Sequence, residues 1–130
     1  MKVYVTDTHA LFWYLINSPQ LGAAASSAFD EADNAEALIY IPAIVLAELY
    51  FLNEKKQRLL DFGAKYQRLE QSQQFVLLPL LPATLLDFDA CQAVTEMHDR
   101  MIVANARLLN APLITADREI VASGLVQTIW

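Results

Sequence analysis

A chain of 130 residues, 55% of them hydrophobic and only three of them glycine, has the length and apolar content for one packed domain and is not a disordered tail. A formal net charge of −6 argues against a broad basic surface for nucleic acid, and the single cysteine, Cys91, excludes an internal disulfide. That lone thiol reads as a buried small hydrophobe, nothing speaks for secretion, and the cytoplasm is the expected compartment.

The first apolar run, Lys2 to Thr6, has the pattern of a strand, with a helix from Thr8 to Ile16 after it. The uncharged stretch from Thr8 to Phe29 is not expected to span a membrane. Its apolar heart is only Ala10 to Ile16, and Asn17, Ser18, Pro19, Gln20 and Gly22 end it. A signal peptide is not expected either, because Asp7 interrupts the apolar stretch after Lys2. Ser26 to Ala32 predicts a short helix and Leu38 to Ile41 a second strand. Pro42 then opens a helical run to Leu52.

Residues 55 to 73 read as one amphipathic helix, with Leu59, Phe62, Tyr66 and Leu69 on its apolar face and Arg58, Lys65 and Arg68 flanking it. Five of the nine basic residues, Lys55, Lys56, Arg58, Lys65 and Arg68, lie in this segment, which is more simply a solvated flank than an RNA track. Phe75 to Leu78 predicts a strand, Pro82 to Val94 a helix, and Asp99 to Leu109 a further helix closed by Asn110, Ala111 and Pro112. Leu113 to Thr115 and Leu125 to Ile129 complete the strands, with a short helix between them. Strands alternating with helices imply an α/β fold with a mostly parallel sheet covered on both faces.

Ligands of such sheets gather beyond the carboxyl ends of the strands, which directs attention to acidic residues at those places. Asp7 directly follows the first strand, and Asp117 lies two residues beyond Leu113 to Thr115. Each has an alternative use as the N-cap of the next helix. Glu48 has Ile44, Val45, Phe51 and Leu52 as helical neighbours, so its charge must protonate, find a cation or reach water; a salt bridge with Arg100 is the structural alternative. Asp99 shares its helix side with Ile102, Val103 and Ala106, and Asp87 and Asp89 are rivals that periodicity leaves open. Oxygen-only donors suit hard cations such as Mg²⁺ or Mn²⁺. Zinc would recruit histidine or cysteine, here limited to His9, His98 and Cys91. Bound divalent cations relieve the repulsion within a carboxylate cluster and lower the pKa of water, a design suited to phosphodiester hydrolysis.

The segments V-T-D-T-H-A-L-F-W, I-P-A-I-V-L-A-E-L, H-D-R-M-I-V-A-N-A and L-I-T-A-D-R-E-I, in this order over nearly the whole chain, resemble the successive motifs of the PIN-domain family. The VapC-like toxins of toxin-antitoxin pairs are the most similar subgroup. The resemblance implies a single PIN-like domain with a three-layer α/β/α architecture, acting as a divalent-metal-dependent endoribonuclease. It maps Asp7, Glu48 and Asp99 onto the family's central acidic positions, in preference to Asp87 and Asp89, and Asp117 onto the more variable fourth. Thr115 falls on a hydroxyl position near the site, in support of Asp117 or a water, or is an ordinary strand threonine. Thr8 and His9 complete the first motif and are expected to pack or cap. By the same resemblance, Asp7, Glu48 and Asp99 hold Mg²⁺ or Mn²⁺ against a scissile RNA phosphate that an activated water attacks. Asp117 serves a second cation or acts through water.

Two departures accompany the resemblance: Asn105 stands where threonine is frequent, and residues 53 to 74 carry no matching motif, which leaves substrate choice open. The partners it implies are an RNA substrate, a cognate antitoxin that blocks the acidic cleft with a basic segment, and a second copy in a homodimer. Two other readings remain at this level. One is a non-catalytic PIN-like binding module. The other is a phosphatase of the haloacid-dehalogenase type, whose D-x-D-x-T opening is broken here by His9.

Overall fold

Short runs rich in Val, Ile and Leu form the strands, and their pairing in the computed structural model, which describes all residues Met1–Trp130, is parallel throughout. The strands are β1 (Lys2–Thr6), β2 (Ala37–Pro42), β3 (Phe75–Leu78), β4 (Leu113–Ile114) and β5 (Thr128–Ile129). Between them lie α1 (Thr8–Leu15), α2 (Ala23–Asp33), α3 (Ala43–Lys55), α4 (Phe62–Gln71), a 3₁₀ segment Pro82–Cys91, α5 (Met97–Leu108) and α6 (Arg118–Ser123). The strand order is β3-β2-β1-β4-β5. Val5, Ile39, Ile41, Leu113 and Ile114 on the three middle strands are fully buried, as a sheet covered on both faces requires. No helix is long and apolar enough to cross a membrane.

This order fixes where a ligand can enter. From β1 the chain steps outward to β2 and β3, then returns to lay β4 on the other side of β1. Right-handed crossovers send the connections on the two sides of β1 to opposite faces, so a crevice opens between β1 and β4 at their carboxyl ends. The backbone N–H of Asp7 donates to the Ile114 carbonyl at 3.1 Å, which holds those two ends in register.

Several boundaries differ from the sequence reading. The helix expected over residues 55 to 73 starts only at Phe62, because the buried Asn53 amide holds both the N–H (2.9 Å) and the carbonyl (3.1 Å) of Leu60. Gln57 and Arg58 turn through positive φ in that loop, so Arg58 does not share a helical face with Lys65 and Arg68. Leu59 is exposed, and Asp61 caps α4 by accepting from the Ala64 N–H at 3.2 Å.

The helix expected over Pro82 to Val94 is a 3₁₀ segment. Leu85 and Leu86 face solvent while Thr84 and Cys91 are buried, which leaves no α-helical apolar stripe to drive a longer element. The last strand is shorter than Leu125 to Ile129, because the Leu125 carbonyl accepts from the Arg107 guanidinium at 3.3 Å and ladder bonding begins at Gln127. In contrast, α2 outgrows the expected Ser26 to Ala32, with Ala25, Ala28, Phe29 and Ala32 forming its buried stripe.

Candidate functional site

Four elements deliver the acidic side chains. Asp7 ends β1 and caps α1, its Oδ1 accepting from the Ala10 N–H at 2.9 Å. Asp117 follows β4 and caps α6 in the same way, accepting from the Ile120 N–H at 2.9 Å. Both capping readings therefore hold, and they do not compete with a site, since a cap engages one carboxylate oxygen and leaves the other available. Asp99 sits in the first turn of α5, behind the Glu96 cap whose Oε2 accepts the Asp99 N–H at 2.7 Å. Glu48 lies in mid-helix on α3, which packs against both α1 and α5.

The four carboxylates line one cleft of about 770 Å³, together with His9, Trp13, Phe51, Lys55, His98 and Trp130 among others. The ion pairs of the molecule, Lys2 with Glu31, Glu96 with His98 and Asp87 with Arg107, include none of the four. The bridge weighed between Glu48 and Arg100 is absent. Arg100 instead donates to the Val94 carbonyl at 2.7 Å and lies over the Phe88 ring. Glu48 accepts the Thr8 hydroxyl at 2.7 Å, which fixes one oxygen and leaves the other free. Asp87 is tied to Arg107 at 2.8 Å and Asp89 is exposed; neither lines the cleft.

The electrostatics follow from this crowding. Burial raises the Asp99 carboxyl to about 7, and the charges of Asp117, Glu96, Glu48 and Asp7 push in the same direction. Asp7 is raised to about 6, again mainly by burial, although hydrogen bonds from Thr115 and the Ala10 N–H, and the nearby His9, pull it down. Thr115 is fully buried; its Oγ1 accepts the Asp117 N–H at 3.1 Å. One strand hydroxyl thus touches the settings of two acids.

The donor set fits a hard divalent cation: carboxylate oxygens that no ion pair neutralises, two of the carboxyls raised mainly by burial. No three His, Cys, Asp or Glu groups are drawn close enough to make a ready coordination shell. Such a cation would be held by one or two carboxylates with waters completing its shell, the habit of Mg²⁺.

Sequence reasoning overlooked part of the surroundings. Thr8 was expected to cap or pack, and it orients Glu48 across 40 residues of chain, a contact with no local signal. Glu96 was not singled out, yet it caps α5 and accepts from His98 Nδ1 at 2.7 Å. The aromatic wall of Trp13, Phe51 and Trp130 lacked any sequence signature, because these residues come from three distant segments.

Residues 4–123 match the PIN domain. The chain belongs to the PIN domain family. Among solved structures it is similar to VapBC2 from Rickettsia felis bound to a promoter DNA fragment, with a TM-score of 0.70 at 17% identity over 97% of this chain and 96% of that one. DNA-bound VapBC from Salmonella typhimurium gives 0.70 at 16% identity over 98% and 97%. FitAcB from Neisseria gonorrhoeae gives 0.66 at 20% over 96% and 95%. At these identities the likeness is one of fold. No curated protein matches the sequence.

Proposed function

We propose that this PIN-domain protein is a divalent-cation-dependent endoribonuclease and the toxin of a toxin-antitoxin pair. The observation that carries the reading is the convergence of Asp7, Glu48, Asp99 and Asp117, from four elements, on one cleft without a compensating ion pair. Unpaired, partly buried carboxylates are costly to a fold and are kept where a cation or a reaction uses them.

One or two of Asp7, Glu48 and Asp99 would ligate Mg²⁺ or Mn²⁺ directly, with the others and Asp117 acting through its waters. When bound, the cation neutralises the cluster, draws in the scissile phosphate, stabilises charge developing on it and lowers the pKa of water. The residues of the chain supply the rest. Thr8 holds the Glu48 carboxylate in one orientation, the Ala10 and Ile120 N–H groups fix Asp7 and Asp117, and Thr115 braces the β4 side. Thr115 is thus a positioning residue. Hydrolysis in such a site would form a bond from the water oxygen to phosphorus and break the bond from phosphorus to the leaving ribose oxygen, which takes up the proton water gives up.

The partners proposed are an RNA substrate, an antitoxin and a second copy of the chain. The resemblance to VapC-like toxins of toxin-antitoxin pairs, together with the VapBC structures of the same fold, supports the second of these. An arginine or lysine of such a partner, placed against the four carboxylates, would replace the cation and silence the site. The experiment is cleavage of several RNAs by purified protein with Mg²⁺ or Mn²⁺, in parallel with chelator and with Asp7→Asn. Cleavage only by the parent with metal supports the reading; equal cleavage in all three arms overturns it. Coexpression with neighbouring reading frames, followed by copurification and inhibition assays, tests the antitoxin.

A further inference from the structure

The face of α3 that holds Glu48 does not end at the acid cluster. Ile44, Glu48, Phe51 and Lys55 recur at helical spacing, and all four line the cleft. Phe51 is 64% exposed, an unusual position for an aromatic ring on the wall of a concave site. Its one aromatic neighbour is Tyr50, in a perpendicular contact at 5.5 Å, so at least one face of the Phe51 ring is uncovered. The other large rings of the cleft are committed to the fold. Trp13 packs on Phe12 at 5.2 Å, and Trp130 lies so close to Gly22 that a Cβ there would come within 2.6 Å of its ring.

The charge balance explains why an open ring is useful here. A polyanion entering this cleft meets four carboxylates and a single lysine, in a protein of net charge −6. Apart from a bound cation at the scissile phosphate, attraction between charges therefore contributes little to holding the rest of the strand. Stacking of a base on an aromatic face needs no net charge, and every base offers a face. Lys55 lies about 10 Å farther along the helix axis than Glu48, a separation that suits a phosphate neighbouring the one under attack.

Building on the ribonuclease reading, we propose that Phe51 stacks an unpaired base next to the scissile phosphate and that Lys55 holds an adjacent phosphate. Together they position a single strand along α3 so that its backbone crosses the acid cluster. The two are positioning residues and determine a preference for unpaired RNA.

The test measures binding of a short fluorescein-labelled single-stranded RNA by anisotropy, with Mg²⁺, in the Asp7→Asn protein so that the strand stays intact. Adding Phe51→Ala is expected to raise Kd roughly 5- to 150-fold, the range given by loss of one stacked base. Phe51→Leu, which keeps an apolar contact with Tyr50 but has no ring, should be nearly as weak, and Phe51→Trp should bind like Phe51. Lys55→Gln should flatten the dependence of log K on log salt by about 0.7, one single-strand phosphate contact. A duplex of the same sequence should bind much more weakly.

Parent-like Kd for Phe51→Ala, or a duplex bound as tightly as the single strand, overturns the stacking contact; Phe51 would then be left to a protein partner. An unchanged salt slope overturns the role of Lys55. RNA cleavage by the protein with Asp7 intact reports the nuclease reading separately. Cleavage with Phe51-independent binding defeats this inference alone, and Phe51-dependent binding without cleavage defeats the nuclease reading alone.

Discussion

Asp7→Asn separates the cost of the acid cluster from its use. In the folded protein the Asp7 carboxyl stands at about 6, against an ordinary value of 3.8. The folded state therefore keeps a proton that the unfolded chain has released. Below the ordinary value both states are protonated and nothing is lost; between the two values the folded state falls behind; above about 6 the full penalty is present. A rise of that size corresponds to about 3 kcal/mol at pH 8 and to under about 1 kcal/mol at pH 4. Asparagine keeps the shape and caps a helix as well as aspartate, so the bond to the Ala10 N–H survives. In chelator, Asp7→Asn is expected to be more stable than the parent at pH 8 by up to about 3 kcal/mol, a rise in Tm of roughly 10 °C for a domain of this size, and to match it near pH 4. Added Mg²⁺ should narrow the gap by stabilising the parent alone. Thermal melting across pH, with chelator and with Mg²⁺, measures this. A variant equal to or weaker than the parent at pH 8 in chelator would refute the claim that Asp7 is held against its charge.

Other consequences concern neighbouring groups. Thr8→Val removes the 2.7 Å bond that orients Glu48 and should cost 10- to 100-fold in divalent-cation affinity or cleavage rate, read by titration of activity with Mn²⁺, while the melting temperature moves little. Asp99 is raised further than Asp7, to about 7, but it is more exposed and part of its shift is screened; Asp99→Asn should likewise stabilise the chelated protein above pH 7 and not at pH 4, by differential scanning calorimetry. Asp87→Asn breaks the pair with Arg107 outside the cleft, and is expected to lower the urea midpoint slightly and to leave the cleavage rate at the parent value.

The fold was legible where the pattern was local. Lys2 to Thr6 and Leu38 to Ile41 read correctly as strands because buried parallel strands are short, continuous apolar runs, and the alternation with helices carried the parallel sheet. The misreadings share a different cause. The loop after α3 is shaped by the Asn53 amide reaching Leu60, and the last strand is shortened by Arg107 reaching the Leu125 carbonyl; each is a side-chain grip on backbone that periodicity does not encode. At the site, Asp7 and Asp117 were visible through their places after strands, and Glu48 through its apolar helical neighbours. The hydroxyl on Glu48 and the open ring of Phe51 depend on how α1 and α3 meet, which is tertiary information.

The placement of the four acids also shows how the fold tolerates them. In this sheet β1 and β4 lead at their carboxyl ends into helix N-termini, where free N–H groups and the helix dipole favour negative charge. Asp7 and Asp117 cap α1 and α6, and Asp99 stands in the first turn of α5, so three of the four carboxylates lean on helix starts. Glu48 has no such support, and it is the one that receives a side-chain hydroxyl instead. These bonds temper the cost of the cluster without cancelling it: burial first, and the neighbouring charges after it, leave Asp7 and Asp99 well above the ordinary carboxylate range. On the proposed reading, a divalent cation entering the cleft would relieve what is left uncancelled. The same residual cost would then favour cation binding, and a substitution that relieves it should trade metal affinity for stability.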